Sequence, residues 1–354
     1  MSKQTLRNVY AITIPLKLIA VLLLLGSCLP VQPVNRAPSA ESAAPLTRVN
    51  VCYSSNSATQ VVVLYAYEKG LFKQYGLDVT LTYIEGGSTA TAALIAGKLD
   101  ICQIAGAAII NSAVAGSDLV LIGGLFNTYV YSLMVRPEIK AAADLKGKAL
   151  AISDPGGSSD AALRAALRSL DLQPDADVAL LSIGSQGARL AAMESGAVVG
   201  TVVSVPETAI ARNAGYRELV DMAALKTPYQ HTALATSRQF LTEHRDTATR
   251  FLQATLAAIA QMKQDRAGVS EVLAKYLSLD AEQDKATLSE AYTVLIGHYL
   301  PTLPYPTLEG IQLQLTTLVA DNPAAAKIKA ADLVDTTLLD EIKASGFIAQ
   351  LEKK

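Results

Sequence analysis

The stretch Tyr83–Gly106, YIEGGSTATAALIAGKLDICQIAG, decides the fold. It reads as the end of a strand, a glycine turn, a short helix, a second turn and a new strand. Gly86 and Gly87 free the backbone where the strand stops. Ser88 or Thr89 is placed to cap the helix, and Gly97 stands where a helix ends on glycine. Lys98–Ile104 then resumes as an apolar strand. A loop that leaves a strand's carboxyl end and enters a helix amino terminus is where open α/β sheets hold ligands.

The unit recurs. Ala92–Leu99, AALIAGKL, parallels Ala191–Val198, AAMESGAV, and each copy follows a Gly/Ser loop, Gly86–Thr89 or Gly184–Ala188. Any strand–helix–strand unit ends its helix this way, and two similar lobes sharing one cleft would do so as well. The remainder of the chain favours two lobes.

The 354 residues suffice for two domains. Hydrophobic residues make up 51% and charged residues only 18%, with a net charge of −2 and no basic tract, so nucleic-acid binding has no support. Residues 1–27 carry Lys3, Arg7 and Lys17 and no acid, and Leu18–Leu25 is an apolar run too short to span a bilayer. It ends in Leu25-Gly26-Ser27-Cys28, which resembles a bacterial lipobox; the resemblance implies cleavage before Cys28 and its lipidation. Residues 28–47 are rich in Pro, Ala and Ser and read as a flexible tether. The product is expected to be exported and lipid-anchored, facing the periplasm or the cell exterior.

Cys52 and Cys102 fall in buried strands. A disulfide suits an exported protein, but bridge geometry across adjacent strands is restrictive, and two buried thiols are the expected state. His231, His244 and His298 lie far apart, so neither metal nor cofactor is expected.

Arg48–Tyr53 opens as a strand. The polar loop Ser54–Thr59 follows, and a helix runs from near Gln60 to Lys69. Ala66-Tyr67-Glu68-Lys69-Gly70-Leu71-Phe72 and Tyr75-Gly76-Leu77-Asp78-Val79, with Gly86-Gly87-Ser88 and Gly97–Ile101, resemble the solute-binding proteins of nitrate/sulfonate/taurine-type ABC importers. Asp144-Leu145-Lys146-Gly147-Lys148 adds to the match; Val199, where the family usually has Asp, departs from it. The resemblance spans roughly residues 48–350. It implies an α/β, periplasmic-binding-protein type II fold of two lobes joined by two strands. Lobe one would take 48–131 and 236–354, and lobe two 132–235. It also implies a monomeric, membrane-anchored capture protein serving an ABC permease and ATPase complex. The group shares its fold with thiamine-pyrimidine synthases and menaquinone-pathway lyases, so an enzyme, or a ligand sensor, stands as the rival.

Loop position and resemblance together put Ser54, Ser55, Asn56, Gly87, Ser88, Thr89, Asn127, Gly156, Gly157, Ser158, Gln186 and Ser204 at the ligand. All lie at strand ends or helix starts. Ser158 or Ser159 would cap the helix from Ala161, with Asp160 opposing an anion there. Small residues at Ala105–Ala108 suit either ligand approach or tight packing. Tyr53, Tyr129 and Tyr131 offer a stacking wall. Arg189, just inside the helix after the second loop, is within reach of a ligand, though a solvated surface charge is the preferred reading; His231 is read as a structural residue of the crossover over a ligand contact. A small polar molecule or anion is the expected ligand: a sulfonate or taurine, nitrate, or a pyrimidine precursor. No activated base or nucleophile stands out, which weighs against an enzyme.

Overall fold

The computed structural model describes residues 45–351 other than 321. The leader, most of the tether and Cys28 lie outside the described residues.

The first sheet forms from apolar, β-branched segments. Strand β1 (Thr47–Tyr53) leads to helices α1 (Val61–Glu68) and α2 (Leu71–Gln74), then β2 (Leu77–Tyr83), α3 (Gly87–Ile95), β3 (Ile101–Ala105), α4 (Gly106–Val114) and β4 (Leu119–Thr128). The second sheet follows: β5 (Ser132–Val135), β6 (Ala149–Ile152), α5 (Ser158–Ser169), β7 (Ala179–Ser182), α6 (Gln186–Glu194), β8 (Gly200–Val203), α7 (Glu207–Asn213) and β9 (Arg217–Asp221). Strand β10 (Pro228–Ser237) returns to the first sheet. Helices α8 (Arg238–Glu243), α9 (Arg245–Met262), α10 (Arg266–Leu277), α11 (Lys285–Tyr292), α12 (Leu308–Leu318) and α13 (Thr337–Ala344) complete the chain's regular structure, apart from short turns and a final helical turn at Phe347–Leu351.

Strand orders are β2-β1-β3-β10-β4 and β7-β6-β8-β5-β9. In each, helices join the parallel strands and the fourth strand runs antiparallel to its neighbours. The sheets are connected by residues 129–131 and 222–227. One expectation moves as a result. The return strand starts at Pro228, and all of β10 pairs with β3 and β4, so residues 228–235 belong to the first sheet.

Lobe one holds the larger core, in which Phe72 stacks on Phe251 at 5.0 Å. Tyr129, Leu133, Leu150, Leu163 and Val202 pack inside lobe two. Cys52 and Cys102 are register partners on parallel β1 and β3, with Cα atoms 4.5 Å apart, and they form a disulfide. The expected pair of thiols is therefore corrected: direct pairing brings the two Cα atoms within bridging reach.

Candidate functional site

The site grows from how each helix start is held. Gln103, fully buried on β3, accepts from the Val63 amide at 3.0 Å and donates to the Thr59 carbonyl at 2.7 Å, which fixes the turn entering α1. Ser54 is buried beside it, its amide bonded to the Gln103 carbonyl and its own carbonyl accepting from Gly86. Ser55 and Asn56 stay half-exposed on the same loop.

At α3 the cap position belongs to Gly86, at φ 92°, and no side chain caps the helix. This corrects the reading of Ser88 or Thr89 as the cap. The left-handed glycine makes the turn, which frees Ser88 to reach lobe two. Its amide donates to Asp154 Oδ2 at 3.1 Å and its hydroxyl to the Pro155 carbonyl at 2.9 Å. Thr89 is exposed, and Gly87 packs so tightly that a Cβ would stand 2.9 Å from Ala108. Gly157, similarly, occupies the cap position of α5 in place of Ser158 or Ser159. Ser159 instead accepts from the Ser153 amide at 2.7 Å.

Four further contacts close the lobes on each other. Asn111 on α4 donates to the Gly156 carbonyl at 2.9 Å. Ser158 lies 3.4 Å from His231 Nδ1. Ser57 lies 3.4 Å from Ser204. Val205, on the turn into α7, packs into the core of lobe one. Gln186 holds that turn by accepting from the Ser204 amide at 2.6 Å. Asn127 is drawn elsewhere: its amide nitrogen donates to the Tyr305 carbonyl within lobe one.

Arg189 is 2% exposed, so its reading as a surface charge is corrected. Nε donates to Thr201 at 2.9 Å, Nη1 to the Gly184 carbonyl at 2.5 Å and Nη2 to the Val202 carbonyl at 3.1 Å. These partners tie the glycine loop before α6 to β8. Burial lowers its pKa, opposed by Tyr131, Glu207, Glu85 and Asp154. Glu207 opens α7 and is buried; desolvation raises its pKa to about 7 against the pull of its own amide and Arg189. His231 is held neutral, its pKa depressed to about 3 by burial, with the Tyr131 ring edge-on at 4.7 Å. Tyr129 stacks on Tyr229 at 3.8 Å at the hinge, whereas Tyr53, expected in the same wall, packs against Tyr83 and Tyr276 in lobe one.

Sequence reasoning missed Ser57, Gln60, Asp154, Glu207 and Thr208 as parts of this junction. A usable signal was present: Glu207 and Thr208 follow Ser204 at the same strand end that singled Ser204 out. Beside the hinge, α4, α5 and α12 also bound a groove of about 640 Å³, lined by Ile110, Arg164, Leu225 and Gln314 among others. Among the described residues no group of three or more His, Cys, Asp or Glu is placed to hold a metal ion.

Two α/β lobes, joined by two connections and meeting through loops at their strand ends, define the periplasmic-binding-protein type II class. Residues 58–267 match the family model described as NMT1/THI5 like, and the chain belongs to that family. Solved structures share the fold at low identity. The alkanesulfonate-binding protein SsuA of Xanthomonas axonopodis pv. citri, bound to MOPS, is 20% identical with a TM-score of 0.66, over 84% of this chain and 98% of that one. The periplasmic nitrate-binding protein NrtA of Synechocystis PCC 6803 is 16% identical with a TM-score of 0.71, over 86% and 91%. The desulfurization enzyme DszB is 17% identical with a TM-score of 0.60, over 84% and 99%. No curated protein matches the chain.

Proposed function

We propose that this chain is the extracytoplasmic solute-binding component of an ABC importer. It captures a small polar molecule between its lobes and presents the closed form to a permease and ATPase complex. The observation that carries the reading is the junction itself. Loops from both sheets meet through hydrogen bonds such as Ser88 to Pro155 and Asn111 to Gly156, while only two short connections join the lobes. Such a body opens and closes as a hinge, and a ligand that contacts both sides favours the closed state by its differential contacts. Ser54, Ser55, Asn56, Gly87, Ser88, Thr89, Gly156, Gly157, Ser158, Gln186 and Ser204 are the proposed ligand contacts. The chain acts as a monomer, exported and held to the membrane by lipid on Cys28.

Native mass spectrometry of the mature, non-lipidated protein tests capture. A retained small molecule supports the reading; a bare mass, with no thermal shift from sulfonates, pyrimidines, nitriles or carboxylates, counts against it. Cys28→Ala is expected to release the protein from membranes, and membrane retention of a processed Cys28→Ala form would sink the anchor.

One observation favours an enzyme as the second reading: Ser158 faces a neutral His231 at 3.4 Å on a fold that DszB also has. Among the described residues no third group bonds the imidazole to orient it, and the Tyr131 ring packs edge-on against it. Turnover abolished by Ser158→Ala would establish it.

A further inference from the structure

Apart from Tyr229 Oη at the hinge, three buried side chains at the lobe junction carry polar atoms without a hydrogen-bond partner among the described residues: Gln60 Oε1, Glu207 Oε2 and Thr208 Oγ1. Each residue is at most 8% exposed. They sit on two turns that face each other. Gln60 donates its amide to the Ser57 carbonyl at 3.0 Å, and the Thr208 amide donates to the Ser204 carbonyl at 3.0 Å. Ser57 and Ser204 then touch across the lobes at 3.4 Å. Buried polar atoms are nearly always paired, so unpaired ones gathered at a cleft mark where a ligand's groups belong.

Their chemistry is one-sided. An amide oxygen and a carboxylate oxygen accept; only the threonine hydroxyl can also donate. The one buried cation among the described residues, Arg189, gives three of its five N–H groups to Thr201, Gly184 and Val202. Around it stand the acidic side chains of Glu207, Glu85 and Asp154. Three acids about one guanidinium give the junction a negative field, which repels an anion and draws a cation.

We infer that the cleft takes a ligand presenting N–H donors to Gln60 and Glu207, a protonated amine or amidine, and that it discriminates against sulfonate and nitrate anions. The inference rests on the solute-binding reading. It sets this chain apart from what its structural neighbours SsuA and NrtA are named for binding.

Arg189 is the charge that acts on Glu207; the elements packed against α7 bring these titratable groups to it. Helix α6 supplies Arg189, and the segment before β5 supplies Tyr131. Strand β9 supplies Glu218, which lies 3.9 Å from Arg212 on α7. With the Glu207 carboxyl titrating at about 7, a donor ligand binds its ionised form and expels the remaining proton. An anion binds the protonated form and takes a proton up.

Isothermal titration in buffers of different ionisation enthalpy reads this directly. The probes are benzamidine and putrescine on one side, and ethanesulfonate and nitrate on the other. The expected result is binding of a nitrogen probe with proton release at pH 7, about tenfold tighter at pH 8 than at pH 6. Glu207→Gln is expected to weaken it at least tenfold and to abolish the pH dependence, with the apo melting temperature confirming that the variant folds. Proton release in the wild type needs no variant at all. Ethanesulfonate or nitrate binding with proton uptake would overturn the donor-ligand inference and leave the solute-binding reading standing. If no probe binds, the inference is overturned, and the mass of the protein as purified decides the solute-binding reading separately.

Discussion

Helices α3 and α6 are one design executed twice, and they differ in what they bury. Each runs nine residues, from Gly87 to Ile95 and from Gln186 to Glu194, and each ends at a left-handed glycine, Gly97 at φ 65° and Gly196 at φ 82°. In register, Gly87 corresponds to Gln186 and Ala90 to Arg189. Lobe one fills these positions with small groups: Gly87 lies against Ala108, and Ala90 is fully buried. Lobe two fills them with Gln186, which holds the Ser204 turn, and Arg189, which ties Gly184 to β8. One backbone unit thus yields a smooth face in one lobe and a polar, load-carrying one in the other. The lesson is that a repeat fixes where a loop goes, and the side chains decide what it does there.

The largest effect should come from emptying the polar side of that comparison. Arg189→Ala leaves Glu207 without its cation and strands three acceptors in the interior, so a loss of about 3–5 kcal/mol in unfolding free energy is expected. Ala90→Ser, the conservative change at the matching place in lobe one, should cost far less. Equal losses in denaturant titrations of the two variants would show that the register between the helices carries no such division of labour.

The lobes differ next in covalent support. Lobe one has the Cys52–Cys102 bridge, whose partners are 50 residues apart, and lobe two has no disulfide among its described residues. Replacing both cysteines by alanine should lower stability by about 2–4 kcal/mol. Hydrogen exchange should show protection falling in β1 and β3 more than in β6 and β8. Uniform loss over both lobes would mean that they unfold as one unit.

Much of this was legible. The glycine spacing, the Gly/Ser loops and the Ala66–Val79 motif led to two α/β lobes and to the loops that meet. Three things were hidden for physical reasons. Arg189 looks like a surface charge because the helix pattern around it is polar, and only the carbonyls of Gly184 and Val202, brought together by the fold, make its burial affordable. Ser88 and Ser158 look like caps because serine after glycine usually is one, yet the glycines themselves take the cap positions here. The disulfide depended on β1 and β3 being neighbours in a register that places Cys52 opposite Cys102, and a sequence does not display strand order.

A third prediction sets two buried titrating groups on the junction against each other. Glu207 titrates in the folded protein at about 7, above its unfolded value, so its contribution is full below the unfolded carboxyl range and is lost as pH rises through 7. His231 titrates at about 3, below its unfolded value, so its contribution is full above about 6.5 and is lost as pH falls. Between about pH 4.5 and 6.5 the two slopes oppose, each worth about 1.4 kcal/mol per pH unit at most. The wild type should be nearly flat there, as far as these two groups go. His231→Asn should then lose stability with rising pH, and Glu207→Gln should gain it. Chemical denaturation at pH 5 and 6 separates the two, and parallel profiles for both variants would refute the assignment.

The smallest effect is the most informative about closure. Ser88 and Ser185 stand near matching helix starts, but Ser185 caps α6 by accepting from the Ala188 amide, whereas Ser88 sends its hydroxyl across to Pro155. Ser185→Ala should therefore cost about 1 kcal/mol of global stability, the usual worth of a cap. Ser88→Ala removes a bond made only when the lobes meet, worth about 1 kcal/mol to the closed state. Its melting temperature as apo protein should barely move, while the open population seen by small-angle scattering rises and ligand affinity falls about fivefold. A drop in apo stability matching that of Ser185→Ala would mean that Ser88 serves its own helix. The two copies of the unit would then be alike where the structure shows them apart.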